Sequence, residues 1–126
     1  MSFSNTYETN VLTWTFTTGA VTRPTAWYIG LFTSDPGEAQ GGTEVSGGSY
    51  VREAVTFTVS GETATNSAAS EWPVATANWG TITHIAVYDA STSGTQIAYA
   101  ALTSSKTIST GDVLRIPAGD LDITLN

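Results

Sequence analysis

The run Thr81-Ile82-Thr83-His84-Ile85-Ala86-Val87-Tyr88 decides the fold. It is short, rich in β-branched residues, and bounded by turn residues on both sides. Ala77-Asn78-Trp79-Gly80 launches it, and Asp89-Ala90-Ser91-Thr92-Ser93-Gly94 turns the chain back into Gln96-Ile97-Ala98-Tyr99-Ala100-Ala101-Leu102. Two β-rich runs joined by a short polar turn predict an antiparallel pair rather than a helix.

The same pattern extends outward. Trp27-Tyr28-Ile29-Gly30-Leu31-Phe32-Thr33 is apolar throughout and lies between Arg23-Pro24 and Ser34-Asp35-Pro36-Gly37. It reads as a central strand buried on both faces, with Gly30 predicting a bulge or the close approach of another backbone. Residues 34–49 form a loop that is long for a compact domain, which makes it a candidate contact loop. Beyond it Val55, Phe57 and Val59 alternate with Thr56 and Thr58, Ser60-Gly61 predicts a tight hairpin, and Glu62 to Asn66 reads as its polar return strand. Pro73 confines Glu71-Trp72-Pro73-Val74 to an edge or an end. Turns at Ser109–Asp112 and Pro117–Asp120 precede a last strand with Leu121, Ile123 and Leu125 inward and Asp120, Asp122 and Thr124 outward. About eight short strands without βαβ spacing predict an all-β chain: a single antiparallel β-sandwich or jelly-roll-like domain.

The N-terminal segment, residues 1–18, stands apart from the sandwich domain at 19–126 as a short helix or arm. Ser4 is a candidate helix cap, Glu8 suits the first turn, and Tyr7, Val11, Leu12 and Phe16 form an apolar stripe. Against this, Thr9, Thr13, Thr15, Thr17 and Thr18 lower helix propensity, and Leu12, Trp14 and Phe16 alternate with Thr as in a strand. A short helix is favoured, docked on the core or on a neighbouring subunit.

Composition limits the function classes. The chain has 126 residues and 13.2 kDa, enough for one core without a metal or disulfide. It has no cysteine, which removes thiolate metal sites and cysteine nucleophiles. Its net charge is −7, and its four cations, Arg23, Arg52, Lys106 and Arg115, are scattered. This predicts no nucleic-acid partner and repulsion from anionic membranes. No apolar run has the length of a membrane span, and the N-terminus lacks the features of a secretory signal.

No catalytic, cofactor or metal site is assigned. His84 is the only histidine, and Asp89, five residues on, falls on the opposite strand face, so His84 reads as a structural strand residue. Asp35, Glu38 and Glu44 share one loop, and Asp112, Asp120 and Asp122 cluster near the C-terminus. Either set has oxygen ligands for Ca²⁺, but a solvated acidic edge is the simpler reading. Gly37 to Gly48 follows no phosphate-loop spacing. Of Trp14, Trp27, Trp72 and Trp79, Trp27 reads as core, while Trp72 and Trp79 are the candidates for stacking on a sugar.

Five blocks carry a further signal: Tyr28–Pro36, Gly47–Ala54, Trp79–Ala90, Ala98–Leu102 and Thr110–Gly119. In this order, over about residues 4–125, they resemble small tailed-bacteriophage proteins usually labelled tail fibre or phage structural proteins. The resemblance implies a β-rich, non-enzymatic virion component on the particle exterior, in a tail-fibre-like or head-decoration role. It would be assembled in the bacterial host cytoplasm. Its partners would be other virion proteins and itself, with a trimer or higher symmetric assembly expected on a symmetric particle. Expected partner contacts are Phe3, Tyr7, Val11, Leu12, Asp35, Glu38 and Glu44. The alternative is a carbohydrate-binding module contacting host surface glycans through Trp72 or Trp79.

Overall fold

A computed structural model of the protein describes residues 1–125. Its elements are β1 (Ser2–Phe3), α1 (Asn5–Phe16), β2 (Tyr28–Phe32), β3 (Glu53–Ala54), β4 (Phe57–Ser60), β5 (Thr63–Asn66), β6 (Ser70–Glu71), β7 (Gly80–Tyr88), β8 (Gln96–Ile108), β9 (Arg115–Ile116) and β10 (Asp122–Thr124). They form a five-stranded sheet of order β1-β8-β7-β2-β3, a three-stranded sheet β10-β5-β4 and a two-stranded ribbon β6-β9. Every pairing is antiparallel. The fold is therefore all-β, with one short N-terminal helix.

The alternation along β7 explains why this strand sits at the centre. Ile82, Ile85 and Val87 face the main core, where they meet Ile29, Leu31, Ile97 and Ala98 of the same sheet and Trp72, Trp79 and Leu121 from outside it. Ala86 and Tyr88 point to the opposite face and join Phe32 and Tyr99 in a second, smaller cluster. The buried Asn66 side chain ties β5 to the C-terminal turn, accepting from Leu121 N–H at 2.9 Å and donating to Pro117 O at 2.9 Å.

The structure corrects three local expectations. Gly30 makes no bulge: β2 runs in unbroken register against β7, and the close neighbour is a side chain. A Cβ at Gly30 would lie 3.1 Å from Glu44 Oε2. The irregularities fall instead between β7 and β8, at Ile82/His84 and Val87/Tyr88. Val59 and Leu125 lie on the inner side of their strands, as the alternation predicts, yet both are exposed because the small sheet leaves an open groove there. The N-terminal segment also begins as a strand, with Ser2 and Phe3 paired to Tyr99 and Ala98.

The helix outweighs its β-leaning composition because its first turn is well anchored. Ser4 is the N-cap, its Oγ donates to Gln96 O, and its N–H donates to Ile97 O at 2.9 Å. Asn5 N–H donates to Glu38 O at 3.0 Å, joining the helix start to the 34–49 loop. That loop is itself tied to the large sheet: Val45 N–H donates to Leu31 O at 2.9 Å, and Val45 is buried.

Candidate interaction surface

The first turn of α1 is fixed, but its second half is uncovered. No residue of α1 is buried, and Leu12, Trp14 and Phe16 are 57%, 69% and 77% exposed. Val11 is exposed as well. The sequence carries no charged residue from Thr9 through Thr22. Large apolar side chains exposed along an uncharged stretch are unusual on the surface of a −7 chain. Of the expected contacts, Phe3 and Tyr7 lie half-buried at the base of the helix, whereas Val11 and Leu12 are exposed. Tyr7 Oη donates to Asp89 Oδ2 at 3.4 Å; burial, followed by the Asp89 carboxylate, pushes the phenol up to about 12.

Beside the helix lies an apolar groove of about 640 Å³ between the large and small sheets. Phe3, Trp27, Val87 and Ile97 line one side, and Phe57, Val59, Ile123 and Leu125 the other. Among the described residues, Glu62 is its only charged lining residue. A second hollow, bordered by Val11 and Leu12 and also by Glu8 and Glu38, shares Phe3, Ile123 and Leu125 with the groove, so the helix flank and the groove adjoin. Sequence reading missed Trp14, Val59 and Leu125 as surface residues, while Trp27 packs partly buried against the core and lines the groove. The strand alternation of Val59 and Leu125 was visible, but no local signal reports that the sheets part at that point.

The 34–49 loop divides into two chemically distinct parts. Asp35 and Glu38 are exposed, with Asp35 Oδ1 accepting from Gly37 N–H at 2.9 Å. Glu44 is committed inward. It forms a two-point pair with Arg52 (Nε to Oε2 2.9 Å, Nη2 to Oε1 2.8 Å) and accepts from Tyr50 Oη at 2.6 Å. This corrects the expectation of Glu44 as a partner contact: its carboxylate is already engaged by Arg52 and Tyr50. Arg52 also donates to Ala90 O and Ser93 O and lies 3.7 Å above the Tyr88 ring centroid, fastening the β7–β8 turn to the loop. Burial disfavours the Arg52 charge, but the Glu44 hydrogen bonds and charge outweigh this and hold its pKa up. Burial and the bond to Glu44 push the Tyr50 hydroxyl upward.

Trp72 and Trp79 are core residues, 2% and 5% exposed, which corrects their assignment as sugar-stacking faces. Trp79 packs edge-on against Tyr50, and its Nε1 donates to Gly48 O at 2.9 Å. The Trp72 backbone N–H donates to Leu114 O at 2.9 Å. His84 Nδ1 bonds Thr83 Oγ1 at 2.9 Å, and its Nε2 lies 3.8 Å from Asp35 Oδ1. Asp89 is engaged elsewhere, accepting from Thr95 N–H at 2.7 Å. Asp112 accepts from Ser109 N–H, and Asp122 from Thr65 Oγ1. Among the described residues no three acidic or histidine side chains converge as a metal site, and no helix is long and apolar enough to cross a membrane.

Fold and surface together define a small antiparallel β protein with one helix and, among the described residues, an apolar groove beside it. Residues 2–124 match the family described as Podophage GP4 fiber I protein gp80. The chain belongs to that family of phage fibre proteins, which makes it a structural virion component. No curated protein matches it.

Proposed function

We propose that the chain is a non-enzymatic protein of the particle exterior, in a tail-fibre-like or head-decorating position, acting only through protein–protein assembly. It is built in the host cytoplasm and joins the particle as a symmetric homo-oligomer, a trimer or a higher multiple. Residues 1–18 are the docking element and 19–126 the rigid body that carries it. One observation carries this reading: a member of a fibre family presents Leu12, Trp14 and Phe16 to solvent on an anchored helix that carries no charge beyond Glu8 in its first turn. The exposed Asp35 and Glu38, next to the helix start, form a second contact at its polar edge.

The test is incorporation into particles. Phage carrying Leu12→Asp with Phe16→Asp, or lacking residues 1–10, should yield virions depleted of this chain by at least tenfold, read by quantitative mass spectrometry of purified particles. The soluble double variant should keep the β-sheet circular dichroism of the wild type. Wild-type loading of both variants would overturn the assignment of α1 as the docking element.

A further inference from the structure

We infer that Gln40 and Gln96 form an amide clamp that couples the 34–49 loop to α1, so that the seating of the loop sets the order of the docking helix. The inference rests on the reading of α1 as the docking element and names what positions it.

The clamp pairs one exposed glutamine with one buried glutamine. Gln40 is exposed and has φ +60°, a backbone conformation that costs energy in a residue with a Cβ. Its side chain is held at both ends. Oε1 accepts from Gln96 N–H at 2.9 Å, and Nε2 donates to Gly94 O at 3.0 Å. The two bonds straddle Thr95 as the peptide groups of an added strand would, so the loop is paired onto the start of β8. Gln96 is fully buried and is the crossing point. Its backbone N–H and its side-chain Nε2 both go to the loop, the second donating to Gly37 O at 2.7 Å. Its carbonyl goes the other way and accepts from Oγ of Ser4, the N-cap of α1. Asn5 N–H closes the circuit on Glu38 O at 3.0 Å. The loop between these bonds is tightly folded: Gly41 N–H donates to Pro36 O at 2.7 Å, and a Cβ at Gly42 would lie 2.8 Å from Pro36 Cα.

The helix depends on this circuit because little else holds it. It has 12 residues, four of them threonine, and buries none of them. A helix of that length and composition is marginal in water on its own. Its hydrogen bonds to the rest of the chain come from Ser4, Asn5 and Tyr7, all at its start. If the loop lifts, Asn5 N–H loses its acceptor and Gln96 loses two partners at a buried position. Loop and helix therefore open as one local unit. A partner that grips the loop at Asp35 or Glu38 stabilises α1, and docking of α1 tightens the loop by the same factor.

Two variants read the coupling from opposite ends by hydrogen exchange on the purified full chain. Gln40→Gly removes both amide bonds yet suits the positive φ, so it separates the bonds from backbone strain. The α1 amides should then exchange roughly tenfold faster, the opening that one or two ordinary hydrogen bonds confer, while β4 and β5 keep their rates. Asn5→Pro removes only the donor to Glu38 O. Proline suits the first helical position, and Ser4 before it is already extended at φ −72° and ψ 158°. In this variant the Gly41 amide, in the loop, should exchange severalfold faster. Unchanged α1 exchange in Gln40→Gly overturns the inference, and so does acceleration shared equally by β4 and β5, which marks a general loss of stability. Exchange is read apart from particle loading. Coupling in a chain whose Leu12→Asp with Phe16→Asp variant still loads normally supports the clamp and removes the docking reading. Depleted virions without coupling keep the docking reading and remove the clamp.

Discussion

At the scale of single residues, the Glu44–Arg52 pair is the most consequential polar contact. The Arg52 side chain is nearly buried, and it joins the loop, the β7–β8 turn and the Tyr88 ring. Removing one member of a buried pair strands the other. Arg52→Ala should therefore cost about 3 kcal/mol in urea unfolding, the lower end of the range because Glu44 retains some water access. Two phenols give a pH signature. Tyr7 is raised from 10.0 to about 12, and Tyr50 is raised further. Because the folded state holds these protons more tightly, the associated stability is complete below pH 10 and is lost as pH rises toward 12. Thermal melts across that window should fall, and Tyr7→Phe should flatten part of the fall. Gly48 makes a local demand of its own: with φ +61°, a Cβ there would lie 2.9 Å from Trp79 Nε1.

At the scale of elements, legibility followed the reach of the signal. β2, β7 and β8 were readable because burial, alternation and turn residues all lie within a few positions of one another. The β4–β5 hairpin was readable from Ser60-Gly61, whose glycine takes φ +60°. The helix was ambiguous because its threonines favour strand while Ser4 favours a cap; the bond from Ser4 to Gln96, distant in sequence, decided the matter. The two-residue strands β6 and β9 carry no periodicity, so Trp72 looked like an edge residue beside Pro73. Ser4→Ala isolates the cap. It should cost about 0.5–2 kcal/mol, with amide exchange accelerated in α1 and unchanged in β7.

At the scale of the whole molecule, one core fixes the shape and one apolar region remains available to neighbours. Trp72→Ala and Trp79→Ala address the core: each should lose roughly 3–5 kcal/mol in denaturant unfolding, as central side chains do and surface stacking residues do not. The apolar region was only half legible. The stripe at Tyr7, Val11, Leu12 and Phe16 could be read from spacing, while the groove depends on how two sheets separate, which no short stretch encodes. The central claim is that the exposed end of α1 is covered once the chain is part of a particle. Hydroxyl-radical footprinting of Trp14 and Phe16 tests it most directly, comparing dilute purified chain with intact virions. The account predicts strong labelling of both rings in the dilute chain and at least fivefold protection in the particle. Equal labelling in the two states would contradict it.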